Sequence, residues 1–311
     1  MRTLWVTGAS GIVGSRLVKD AVLSGKYDHI EAFTHSPIAT TPTDAPNVHW
    51  SSLNISDAAA VEHAAAISRP EVIINPAAMT NVDSCEARQA EAKRANADGP
   101  RNLAMVSRAL GAHLLHVSTD YVFPGDAAHP GPYREDATPQ PINYYGQSKL
   151  EGEEAIIATA GGDTRYTIIR TALVYGLGTR TNFVTWLVRE ISAGKRVKIV
   201  RDQFNTPTVA DDLASTLLWL AEQGRTGMYH VAGPDRLGRH DWALAIVRHF
   251  ELDESLIDWV TTPELAQPAP RPLESGLDCA RLLTEISFGA PRPRGVAQGL
   301  AEIDWLGTHN T

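Results

Sequence analysis

The chain is short of cysteine. In 311 residues it has only Cys85 and Cys279, far apart in the sequence. Such a pair offers no disulfide framework. Long apolar runs are missing too, and nothing approaches the roughly 20 residues that a membrane-spanning helix needs. The opening "MRTLWVTGAS" has neither the apolar stretch nor the small-residue cleavage site of a signal peptide. A cytoplasmic protein with no membrane partner is expected. The eleven histidines form no HExxH and no Cys/His cluster, so no metal is expected. His113 and His116 fall within an apolar strand and read as packing or surface residues. Basic runs are absent and the net charge is −8, which argues against nucleic acid as the main partner. What remains, 43% hydrophobic and 21% charged, is ordinary for a soluble globular chain. Its length suits one large domain or two interlocked ones.

The first informative stretch is "TLWVTGASGIVGSRLVKDAVLSG". Leu4–Thr7 reads as a short buried strand, followed by Gly8, Gly11 and Gly14. Val13, Leu17 and Ala21 then recur at helical spacing, with Gly25 as a stop. Glycine at these positions lets a pyrophosphate approach the backbone amides at a helix N-terminus. A dinucleotide site is therefore expected here. The next strand, "HIEAFTH", ends in Thr34, His35 and Ser36, without the acid that often holds an NAD ribose. That tip favours NADPH and leaves NADH possible. Arg16 is the nearest basic residue, with a solvated helix position as its other reading.

Alternation continues along the chain. Val72–Ile74 is a buried strand running into a flat loop at Ala77 and Ala78. Gly99–Leu110 is helical, with Gly111 as its stop, and "HLLHVSTDYVF" is another strand. Repeated βα units predict an α/β fold, a Rossmann-like doubly wound parallel sheet.

"NYYGQSKLEGEE" follows, with Tyr145 and Lys149 one helical turn apart and on one face. A nearby cation stabilises a phenolate, so the pair reads as an activated phenol. In isolation YxxxK is more often an ordinary surface pair. Leu150 and Ile157, seven apart, are the expected buried stripe of this helix.

The ordered stretches "TGASGIVGSRL", "INPAAMTNVDSCE", "STDYVFPG", "YYGQSKLEGE", "IIRTALVYG", "DQFNTPT" and "GMYHVAGPD" together resemble the extended short-chain dehydrogenases/reductases. More narrowly they resemble the dTDP-4-dehydrorhamnose reductase group. The resemblance implies NAD(P)H-dependent reduction of a nucleotide-linked 4-keto-6-deoxysugar. Tyr145 would be the general acid, Lys149 would lower its pKa and hold the nicotinamide ribose, and Thr119 would bond the carbonyl. Ser118 is the competing hydroxyl, Asp120 would orient the site, and Asn96 would support it through water. Gly8, Ser10, Gly11, Ile12 and Gly14 would wrap the pyrophosphate. Thr34 and His35 would lie at the adenosine ribose, Asn54 and Ile55 at the adenine, and Ala77 and Ala78 beside the cofactor.

Tyr121, Phe123, Leu173, Asn182, Phe183, Gln203 and Arg271 would surround the substrate. The three aromatics read equally as core, and Arg271 equally as a solvated loop residue. Two departures concern the sugar pocket: Leu173 stands where the group commonly has tryptophan, and Asn205 where it usually has glycine. The resemblance implies a nucleotide domain of residues 1–173 and 208–232 and a smaller interlocked substrate domain of 174–207 and 233–303, with a homodimer possible. Two other activities stay open. One is a nucleotide-sugar epimerase or dehydratase with retained NAD. The other is a non-catalytic regulatory subunit resembling the beta subunit of methionine adenosyltransferase.

Overall fold

The computed structural model describes residues 2–38, 43–160, 165–178, 181–286 and 291–303. The tail after Trp305, expected to fray, lies outside the described residues. At the centre is a seven-stranded sheet: β1 (Thr3–Val6), β2 (His29–Thr34), β3 (Val48–Ser52), β4 (Val72–Asn75), β5 (His113–Thr119), β6 (Tyr166–Thr171) and β7 (Gly227–His230). The spatial order is β7-β6-β5-β4-β1-β2-β3, and every pairing is parallel. The order reverses between β1 and β4. In a doubly wound sheet that switch point, at the strands' carboxyl ends, is where ligands bind.

Helices cover both faces. On one side α1 (Gly14–Ser24) packs with Ala210–Glu222, and their apolar residues Leu17, Val18, Leu213 and Leu217 are fully buried. On the other side α2 (Ala58–Ser68), α3 (Gly99–Leu110) and α4 (Tyr144–Ala160) lie side by side. Both glycine stops act as expected. Gly25 and Gly111 end their helices in the left-handed region, at φ 62° and 68°.

The expected stripe of α4 is not its buried face. Ile157 is 47% exposed, while Lys149, Gly152, Glu153, Ile156 and Ala160 point inward. Gly152 is required by close approach: a Cβ there would sit 2.2 Å from the Asn96 carbonyl oxygen. That carbonyl belongs to a π-helical turn, Arg94–Asp98, which bulges toward α4. Such turns cluster at functional sites.

A second core lies beyond the sheet. Tyr175, Leu187, Trp242, Ile246 and Leu300 pack between helices Phe183–Ser192, Arg239–His249 and Val296–Glu302 and the parallel strand pair Val197–Val200 and Ile257–Val260. The chain passes between the two cores repeatedly. One stretch differs from the expected division: Leu282 and Ile286 bury in the core of the sheet.

Candidate active site

Thr119 is the last residue of β5, and the Oγ1 of Thr119 and the phenol of Tyr145 are hydrogen-bonded. Strand alternation separates the two neighbouring hydroxyls. Ser118 is engaged further along α4, donating to Glu153 at 2.5 Å, while Glu153 forms a buried ion pair with Arg170 at 2.6 Å. Tyr145 lies in the first turn of α4, which is capped by Asn143 accepting from the Gly146 amide at 2.8 Å. Tyr144 is half-buried beside it, with its amide on Glu86 at 2.7 Å.

Burial pushes the Tyr145 phenol well above its ordinary range, and the bond with Thr119 pulls against that shift. At neutral pH it is therefore a protonated donor. Lys149 is 1% exposed; its Nζ donates to the Val117 carbonyl at 2.8 Å and meets His116 Nε2 at 3.1 Å. Burial lowers its pKa to about 8, with Glu153 working in the opposite direction.

Asp120 is 1% exposed. Its Oδ2 accepts from Asn205 Nδ2 at 2.8 Å and from Ser275 Oγ at 2.7 Å. Burial raises its pKa, and the donors from Ser275, Asn205 and Thr119 oppose the rise. Asn96, expected to support the site, makes direct bonds to its neighbours. Its amide bonds Met79 N and O at 2.8 and 3.0 Å and Ser148 Oγ at 3.0 Å, tying the loop after β4 to α4.

The glycine loop fits a dinucleotide. Gly8 has φ 56°, and a Cβ on it would meet the Ala77 Cα at 3.0 Å, leaving bare backbone between the β1 and β4 loops. A Cβ on Gly14 would lie 2.2 Å from the Gly8 oxygen. Helix α1 starts with no side-chain cap and no acid in its first turn. Such an N-terminus suits an anion. Ser10, Gly11 and Ile12 lie in the same turn.

Around the adenosine end, Thr34 is buried with its hydroxyl on the Ser36 carbonyl at 2.7 Å, and His35 is exposed. Asn54 is exposed and binds Ser56, while Ile55 is buried beneath Gly99. Arg16 is not at the β2 tip; it bonds the Ile12 carbonyl at 2.7 Å and pairs with Asp211 at 2.8 Å.

Beside Tyr145 a small pocket begins at Tyr121, whose ring meets that of Tyr145 edge-on at 5.6 Å. Tyr121, Leu173, Gln203, Asn205 and Arg239 line it. Leu173 holds φ 44°, a conformation few side chains adopt. Gln203 Nε2 donates to Thr262 at 2.9 Å. Three expected contacts lie elsewhere. Phe123 is fully buried, stacked on Tyr133 at 4.2 Å with Arg170 over its ring. Phe183 packs on Trp242 in the second core at 4.8 Å. Asn182 spends its amide on capping the next helix and on the Gly176 carbonyl. Arg271 is no solvated loop residue: its side chain is 8% exposed and pairs with Asp83 at 2.9 Å.

The family of the RmlD substrate binding domain matches residues 1–302. The chain belongs to it. Among family relatives, a dTDP-4-dehydrorhamnose reductase of Streptomyces griseus is 38% identical over 289 residues, covering 90% of this chain and 87% of its own. One from Mycobacterium tuberculosis is 37% identical over 278 residues, covering 88% and 84%. A crystal structure of dTDP-4-dehydrorhamnose reductase from Bacillus anthracis, in complex with NADP, superposes with a TM-score of 0.82. It is 29% identical and covers 97% of this chain and 98% of that one. The fold is thus shared over nearly all of the matched length.

Sequence reasoning passed over Asn75, Asn205 as a partner of Asp120, Arg239 and Ser275, and read His116 as a packing or surface residue. Arg239 is half-buried over the rings of Phe183 and Trp242, and it shares with Arg271 the surroundings of the Tyr121 phenol. A lone arginine in "LGRHDW" carries no motif that would have singled it out.

Proposed function

We propose that this chain is an NADPH-dependent reductase of a nucleotide-linked 4-keto-6-deoxysugar, of the dTDP-4-dehydrorhamnose reductase kind. One observation carries the reading: the Tyr145 phenol, protonated and bonded to Thr119, stands with buried Lys149 at the carboxyl edge of the sheet. Gly8, Ser10, Gly11, Ile12 and Gly14 would hold the pyrophosphate, and Ala77 and Ala78 would flank the nicotinamide half. Thr34, His35, Asn54 and Ile55 would face the adenosine half. When bound, the dinucleotide supplies a hydride.

The chain itself supplies the proton and the positions. Tyr145 holds its proton on the hydroxyl for the sugar oxygen, and Thr119 orients that hydroxyl. Lys149 balances the charge left on the phenolate. Asp120 holds the end of β5 in place. Tyr121, Leu173 and Gln203 shape the sugar pocket, and the Arg239 and Arg271 cations favour a diphosphate-bearing substrate.

The reductase names of relatives spanning most of the chain favour this reading over an epimerase or dehydratase, and over a regulatory subunit. The division into a nucleotide domain and a substrate domain belongs to the same proposal, with residues 280–286 moved to the nucleotide side. Among the described residues no helix is long and apolar enough to cross a membrane. The free thiols of Cys85 and Cys279 accord with a cytoplasmic setting. A homodimer would join the outer faces of α3 and α4, where Met105 and Ile157 are about half exposed; light scattering after size exclusion reads it.

The decisive assay follows NADPH consumption with dTDP-4-keto-6-deoxy-L-mannose. Wild type consumes it, and Tyr145→Phe is slower by a factor on the order of 10²–10⁴ while still binding NADPH. Equal turnover by the two proteins would remove Tyr145 as the acid. No turnover with this or other keto-sugars would remove the reductase reading.

A further inference from the structure

Behind Lys149 the core holds a second set of charges that the reaction, as described, does not use. Glu153 is 1% exposed and Arg170 3%. The carboxylate takes two nitrogens of the guanidinium: Oε1 accepts from Arg170 Nε at 3.1 Å and Oε2 from Arg170 Nη2 at 2.6 Å. Oε1 also accepts from Ser118 Oγ at 2.5 Å. Ser118 and Arg170 are cross-strand partners in the register of β5 and β6, so the three side chains tie α4 to both strands one residue short of Thr119.

Packing alone does not call for such a pair. An ion pair taken out of water is a weak source of stability, and apolar side chains of the same volume commonly do as well or better. Its place is the informative part. Glu153 follows Lys149 by four residues on α4 and both side chains point inward, so carboxylate and ammonium are neighbours on one helix face, closed off from water. The direct partners of Lys149 Nζ are the Val117 carbonyl at 2.8 Å and His116 Nε2 at 3.1 Å. The first carries no charge, and burial and the Lys149 cation hold the second neutral. Neither offsets the ammonium. Glu153, faced only by donors, stands as a carboxylate and can.

We propose that Glu153 is a positioning residue for the reduction: fixed by Arg170 and Ser118, its carboxylate acts by charge to keep Lys149 an ammonium beside Tyr145. The catalytic meaning rests on the reductase reading, though the electrostatics do not. Glu153 raises the proton affinity of Lys149 where burial lowers it. The other titratable groups on this side act differently. Tyr145 of α4 and Cys85 of helix Val82–Ala87 are kept protonated by burial. Asp120, just after β5, is bonded to Asn205 and Ser275. Arg170 of β6 is taken up in the pair itself, and His230, its partner on β7, is held neutral by burial.

Two substitutions separate charge from bonding. Glu153→Gln keeps the length and an oxygen for Ser118 and Arg170, and removes the charge. Glu153→Asp keeps the charge and, one methylene shorter, gives up those bonds. In full-length protein labelled with ¹³Cε-lysine, the Lys149 signal is assigned by its loss in Lys149→Met. Its titration should fall by on the order of one to two pH units in Glu153→Gln and stay within about half a unit of wild type in Glu153→Asp. An unmoved titration in Glu153→Gln, or a larger fall in Glu153→Asp than in Glu153→Gln, overturns the proposal whether or not the reductase reading holds. NADPH-dependent turnover reads the catalytic half. The alkaline limb of the kcat–pH profile, where Lys149 gives up its proton, should move down in Glu153→Gln by the same amount. A limb that stays while the titration moves overturns the catalytic role. If Glu153→Gln does not fold, Glu153→Asp decides alone, and a fall there of about one unit or more overturns the proposal.

Discussion

Lys149 is an ammonium-forming side chain enclosed by protein, and that enclosure makes it a thermodynamic probe as well as a catalytic group. Its pKa falls from the ordinary 10.5 to about 8 on folding. Between those values the unfolded chain holds one more proton at this position than the folded chain, so stability rises with pH through that window. Below about 8 both states are protonated, and the cost of the buried charge stands in full. Lys149→Met removes the term. The urea midpoint of wild type relative to Lys149→Met should therefore climb from about pH 8 to 10.5, by an amount equivalent to roughly 3 kcal/mol at most. A pH-independent difference between the two proteins would mean that Lys149 keeps its usual affinity. At this scale the sequence was legible where chemistry repeats a spacing, as in Tyr145 and Lys149. It was ambiguous for Ser118 and Thr119, because adjacent hydroxyls differ only in which face of the strand they take.

Helix α4 shows why an element carrying chemistry is harder to read than one carrying packing. Helices α1 and α3 present apolar residues at regular intervals and end in left-handed glycines, so both their extents and their inward faces follow from the pattern. The inward face of α4 is instead built from Lys149, Gly152 and Glu153, which no hydrophobic period records, while Ile157 lies outside. Those inward positions are set by contact distance. The Gly152 position meets the carbonyl of Asn96 on the bulged turn, and any Cβ must push the two elements apart. Gly152→Ala should lower stability by about 1–3 kcal/mol and reduce kcat, because Asn96 also holds Met79 and Ser148. Thermal unfolding beside kcat measurements checks both halves. An unchanged melting temperature would mean that the bulge yields freely.

At the scale of the molecule, the two cores meet through the catalytic strand. Asp120 directly follows β5 of the sheet, yet its partners Asn205 and Ser275 come from the region around the second core. No periodicity links positions 85 and 155 residues apart, so this joint was not visible in the sequence. The doubly wound sheet was, because each βα unit declares itself locally. Asn205→Gly and Ser275→Ala should each lower kcat modestly. The double variant should lose more than the product of the two effects, since one remaining donor can still satisfy the buried carboxyl. A double-mutant cycle on kcat reads this coupling, and strict additivity would mean that Asp120 is held by other means.

The same joint bears on how the protein comes into being on the ribosome. Strand β5 and Asp120 leave the exit tunnel long before Ser275, so any sheet formed before then has that carboxyl without this donor. Only when the last third of the chain arrives is the group enclosed and given its second donor. The catalytic edge is thus among the final parts to be finished, and a chain released early would carry a nearly complete glycine loop beside an unfinished site.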